Sequence, residues 1–148
     1  ELFVGLACSV LIAIALGSAV LFSADHLGAL FSTEVDFLRV FTASHRALAL
    51  LTTLRNLGIT LEGLVETTGQ TKLVLAVNLT SAWLGQLPAS VLLLTFWSHD
   101  LSALLLGVAV GYGIQCVMLL SALATADWTS LADAALLRAE KAKAKEMM

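Results

Sequence analysis

The sequence predicts an all-α membrane protein built on four antiparallel transmembrane helices. Three observations carry that expectation. From Leu73 to Trp97, and again from Leu101 to Thr125, there is no Asp, Glu, Lys or Arg, and Leu2–Ala24 makes a third uncharged run. At about 1.5 Å per residue, either of the first two runs, if helical, exceeds the ~30 Å hydrocarbon core of a bilayer. Hydrophobic residues make up 59% of the chain and charged residues 13%, with a mean hydropathy of +0.92, a balance that a soluble domain of 148 residues rarely shows. The net charge of −3 is too small to imply an acidic or basic partner, and nucleic acid is not expected as one.

Taken in order, the first span is expected at about 2–24. It is not a signal peptide: it lacks a basic leading region, its apolar run is too long, and no Met precedes it. The start at Glu1 predicts a piece of something longer. A polar loop, 25–39, then carries Asp25, Glu34, Asp36 and Arg39. The second span is expected at about 40–65. Ala47–Val65 is mostly apolar despite Arg55, Asn56 and Glu62, and its neighbours need a return crossing. The third and fourth spans follow at about 73–97 and 101–125. The connections are short, so successive spans run antiparallel. The chain divides into a transmembrane bundle, 1–126, and a cytoplasmic helical tail, 127–148. In the tail, Ser130 and Asp133 resemble a capping box, and Ala, Leu, Lys and Glu follow without Gly or Pro. Its basic end is expected either against anionic headgroups or as a soluble terminal helix.

Orientation follows from Lys and Arg near the span ends. Lys72 shares a side with the tail cations Arg138, Lys141, Lys143 and Lys145, which makes that side cytoplasmic. Loops 25–39 and 98–100 then lie on the other side. Trp97 and Trp128 stand at span ends, where interfacial Trp is expected. Cys8 and Cys116 lie inside apolar runs and are expected to be buried, packing as small hydrophobes rather than pairing or binding metal.

Ionisable groups inside a membrane cost free energy unless they are paired or face a cavity. Arg55 and Glu62 lie two helical turns apart on nearly one face, with Glu66 close to it. At roughly 10 Å along the axis they are too far apart for a direct bridge from ideal backbone positions, so each is expected to meet a different partner or water. The stripe is a substrate or ion pathway on one reading and an internal structural ion pair on the other. Glu66 is placed at the cytoplasmic interface, and His45 and Arg46 at headgroup level. In the third span Asn78 and Gln86 share roughly one face, and Pro88, the only proline, is expected to kink the helix and is a hinge candidate. In the fourth, Gly107-x-x-x-Gly111 is a close-packing motif, with Tyr112 and Gln115 as weaker cavity-lining candidates. No nucleotide loop, catalytic triad or metal-ligand cluster occurs, so neither catalysis nor a cofactor is expected.

The order and spacing of these marks resembles the multidrug and toxic compound extrusion (MATE) transporters, at the end of their C-terminal lobe. Leu30-Phe31-Ser32-Thr33-Glu34 looks like the family's lF-T-x-D. Leu61 to Lys72 is close to L-x-G-x-L-R-G-x-G-x-x-K. Asn78 with Pro88 resembles N-x7-G-x-P, and Gln115 ahead of Asp127-Trp128 resembles the family's Q…D/N-W before a charged tail. The likeness covers about residues 25–140. Four departures stand out. Glu66 and Thr67 occupy the usual Arg-Gly, Gln86 replaces a Gly, and Arg46 falls where many members have Pro. Arg55 falls where some eukaryotic members carry an acidic residue associated with cation binding.

The resemblance implies part of a twelve-helix, two-lobe secondary antiporter. Such a protein exports organic compounds or xenobiotics in exchange for protons or sodium, H+ or Na+, by rocking its lobes about a central cleft. This chain would supply spans nine to twelve. Its partners would be a small-molecule substrate, the coupling ion, the lipid bilayer and the remaining helices, and alone it would transport nothing. Arg55, Glu62, Asn78 and Gln86 would line the pathway. The location would be multi-pass in the plasma or vacuolar membrane. Two alternatives remain open: a four-helix membrane scaffold, and a lipid flippase of the same superfamily.

Overall fold

A computed structural model of the chain describes residues 2–97 and 99–126, and among these all regular structure is helical. The tail expected at 127–148, with Trp128 and the Ser130–Asp133 capping box, lies outside the described residues. Helix α1 spans Leu2–Phe22, α2 Ala24–Phe31, α3 Val35–Thr67, α4 Thr71–Thr80, α5 Leu87–Phe96 and α6 Leu101–Thr125. Between α4 and α5, Ser81–Gln86 forms a π-helical turn, so 71–96 runs as one continuous rod. Among the described residues, three helices are long and apolar enough to cross a membrane: Val35–Thr67, Thr71–Phe96 and Leu101–Thr125. Large apolar side chains stand outward along them, among them Trp83, Leu84, Val91, Phe96 and Val117, as on a lipid-facing surface.

Two expectations change. The segment 25–39 is not an open loop, because α2 and the first turns of α3 fill it. Leu27 and Gly28 of α2 turn inward, and a Cβ on Gly28 would stand 3.0 Å from Leu38 and 3.1 Å from Phe41. The break between α2 and α3 is made by Ser32, whose hydroxyl accepts the Glu34 N–H at 3.1 Å. Asp36 then sits in the first turn of α3, where the helix dipole favours a negative charge. Helix α3 therefore starts five residues before the expected span and, at 33 residues, extends about 50 Å. Hydropathy marks the stretch that can cross a bilayer, not the polar turns that continue the same helix beyond it.

The second change concerns Cys8. Both thiols are free, but only Cys116 is buried and Cys8 is exposed. Helix α1 packs against α3 along one side, and Cys8 lies on its outward side. The close face of α1 passes through Gly17, where a Cβ would fall 1.9 Å from Thr53 Oγ1, itself bonded to the Ala49 carbonyl.

The α3–α4 connection is a tight turn. Gly69 takes φ 82°, the left-handed conformation that favours glycine after a helix, and its N–H closes on the Glu66 carbonyl at 2.8 Å. This turn brings α4 back beside α3. Leu61, Val65, Val74, Val77, Cys116 and Leu119 form the buried core there. Helix α6 is the hub and packs on α3, α5 and the π turn. Its Gly107 and Gly111 behave as the packing motif expected. A Cβ on Gly107 would lie 2.4 Å from Ser90 Cα, and one on Gly111 would lie 2.9 Å from Gln86 N. Only glycine lets these backbones approach so closely.

Candidate functional site

Pro88 sets the local backbone of the site. It has no N–H to give to the carbonyl four residues earlier, and its ring crowds that carbonyl. One residue upstream the ladder has slipped: the Leu87 N–H donates to the Ala82 carbonyl, a five-residue step. The wider turn absorbs the proline without ending the helix. Turns of this type occur frequently at functional sites. Here Ser81, Ala82 and Gln86 all face one cleft. Pro88 is exposed and stays outside the lining, so it acts on the site only through the backbone.

The cleft has a volume of about 340 Å³. Helix α3 contributes Arg55 and Glu62, α4 contributes Asn78, the π turn contributes Ser81, Ala82 and Gln86, and α6 contributes Tyr112 and Gln115. All four residues singled out for a pathway, Arg55, Glu62, Asn78 and Gln86, thus meet in one place. Sequence reasoning underrated Tyr112 and Gln115 and missed the inward aim of Ser81 and Ala82. The signal for Gln115 was present, since an amide in an otherwise apolar span needs acceptors. The orientation of Ser81 and Ala82 depends on the π register, which spacing at 3.6 residues per turn does not show.

Gln115 is the centre of the arrangement. It is 3% exposed, and its Nε2 donates both to Glu62 Oε1 and, at 2.7 Å, to Asn78 Oδ1. One amide on α6 therefore ties α3 to α4. Arg55 donates to the Tyr112 hydroxyl and its guanidinium carbon lies 5.2 Å from the ring centroid, a cation–π contact. Arg55 and Glu62 thus take different partners, both on α6, as their separation implied. Ser81 is held by a hydroxyl bond to the Asn78 carbonyl at 3.1 Å.

The other ionisable residues fall elsewhere. Glu66 is exposed and lines a neighbouring groove of about 290 Å³ with Thr71, Lys72 and Asn78, at the α3–α4 turn. Asn78 borders both spaces. Arg46 faces a groove between α1 and α3 with Ile14, Leu21 and Leu50, and His45 bonds through Nδ1 to the Thr42 carbonyl. No group of three His, Cys, Asp or Glu side chains suited to a metal ion gathers among the described residues. The cleft gathers one guanidinium, one carboxylate, and hydroxyl and amide groups around them. Comparison with protein-family models, with curated proteins and with solved structures gives no match to this chain.

Proposed function

We propose that the chain is part of a multi-pass secondary antiporter of the MATE type, which exports organic compounds in exchange for protons or sodium. In this reading α1 is the fourth membrane span, and further helices complete a twelve-helix, two-lobe protein. The observation that carries it is the convergence of Arg55, Glu62, Asn78 and Gln86 on one polar cleft inside apolar helices. Charged and amide groups at membrane depth mark substrate or ion paths more readily than they serve stability. Two motif positions of the resemblance, Asn78 and Gln115, also meet there, with Glu62 from within a third motif. A scaffold would have no use for an open cleft lined by a carboxylate and a guanidinium that have no ion-pair partner among the described residues.

The test is solute flux into vesicles containing the protein expressed from its complete open reading frame, under an imposed proton or sodium gradient. Labelled cationic, anionic and zwitterionic solutes are tried in turn. Gradient-dependent uptake of at least one class is expected. Glu62→Gln should reduce that uptake at least tenfold while membrane abundance is kept or raised, because removing an intramembrane charge eases insertion. Absence of gradient-dependent uptake for every class overturns the proposal.

A further inference from the structure

We propose that the cleft binds a zwitterion, with the ligand's anionic group at Arg55 and its cationic group at Glu62. The inference rests on reading the cleft as a transport site and names the substrate class that the site accepts.

The two ionisable side chains of the cleft have opposite signs. They lie seven residues apart on one helix, about 10 Å along its axis. Among the described residues neither has an ion-pair partner. The Arg55 guanidinium gives one N–H to Tyr112 and rests over that ring. Its planar fork of donors is matched to a carboxylate, and the remaining N–H groups have no acceptor among the described residues. Glu62 accepts one N–H from Gln115, which leaves most of its lone-pair sites open. The cleft therefore carries an anion receptor and a cation receptor at two levels, with neutral Asn78 and Gln86 in the wall.

A singly charged solute satisfies one of these groups and is opposed by the other. An organic cation drawn to Glu62 meets the field of Arg55, and an organic anion meets the field of Glu62. A zwitterion in the matching orientation gains both attractions and is opposed by neither. Tyr112 does not change this balance. Its ring already carries Arg55, so Glu62 remains as the partner for a cationic group.

The experiment is equilibrium dialysis of the purified protein from the complete open reading frame, with radiolabelled carnitine, choline and butyrate. These probes are small organic solutes that differ in charge: zwitterion, cation and anion. Carnitine is expected to bind at least tenfold more tightly than either of the others. Arg55→Gln should lower carnitine binding to the level of choline, and Glu62→Gln to the level of butyrate. Choline or butyrate binding as tightly as carnitine overturns the inference, as does binding of none of the three. The ranking in the unaltered protein decides even where a variant does not fold. Carnitine binding without gradient-driven flux of any solute supports the zwitterion site and removes the antiporter reading. Gradient-driven uptake of choline with none of carnitine keeps the antiporter and overturns the zwitterion site.

Discussion

Gln115 holds more of the site than its place in the sequence announces. Its amide gives both N–H groups to acceptors on other helices, Glu62 and Asn78. Gln115→Leu keeps similar bulk but leaves those oxygens without their donor. A buried acceptor left unsatisfied costs about 1–3 kcal/mol, and these two oxygens, half-buried at the cleft wall, fall toward the low end of that range. The variant is expected to lower the thermal midpoint in detergent. The same substitution should cost less in a Glu62→Gln background, where the acceptor is no longer charged, so a double-mutant cycle should give a coupling of about 0.5–3 kcal/mol. Equal costs in both backgrounds would show that the charge on Glu62 adds nothing to what Gln115 stabilises. Arg55, Glu62, Asn78 and Gln86 were legible in the sequence because polar groups inside apolar spans have few places to go. Tyr112 was less so, since an aromatic in a membrane helix is ordinarily a packing residue. What identifies it is the approach of Arg55, a contact across 57 positions that no local pattern encodes.

At the scale of elements, two close approaches decide the geometry. The first is α6 against α5. Gly107→Ala would push a Cβ to 2.4 Å from Ser90 Cα, a backbone atom that cannot swing aside. Overpacking of this kind typically costs about 1–3 kcal/mol. Gly113→Ala is the control, because its nearest neighbour, Leu54 Cδ1, is 4.0 Å away. Thermal unfolding in detergent should show a lowered midpoint for Gly107→Ala and none of that loss for Gly113→Ala. The second is the π turn. Pro88→Ala restores a backbone donor and removes the ring that excludes the ordinary ladder. The turn should then relax to α-helix and rotate Ser81, Ala82 and Gln86 relative to the cleft. Flux is expected to fall at least several-fold at unchanged membrane abundance, whereas unchanged flux would mean the proline only shapes the rod. Helix existence and the limits of α6 were readable from charge-free length, and α6 matches the expected 101–125. Helix α2 was not readable, because an eight-residue helix is held by its docking on Leu38 and Phe41 rather than by its own pattern.

At the scale of the whole molecule, the long helices put specific groups at specific ends. Asp36 and Arg39 of α3 share a cleft of about 670 Å³ with His99 and Asp100, just before α6. Glu66 and Lys72 mark the opposite end, at the α3–α4 turn. The cations counted along the sequence favour the Lys72 end as cytoplasmic, since Arg138, Lys141, Lys143 and Lys145 come after α6 in the sequence and α6 ends at the Lys72 end. Arg39 opposes this, but it is one charge against five. Labelling with a membrane-impermeant maleimide in intact cells tests the assignment. The background needs Cys8→Ser, because Cys8 is exposed while Cys116 is buried. His99→Cys should then be labelled from outside, and Lys72→Cys only after permeabilisation. The reverse pattern would invert the topology, and labelling of both from one side would break the antiparallel arrangement of α3, the 71–96 rod and α6. The result also orients the cleft. Glu62 lies nearer the Lys72 end than Arg55 does, so labelling as expected would point the cationic end of a bound zwitterion toward the cytoplasm.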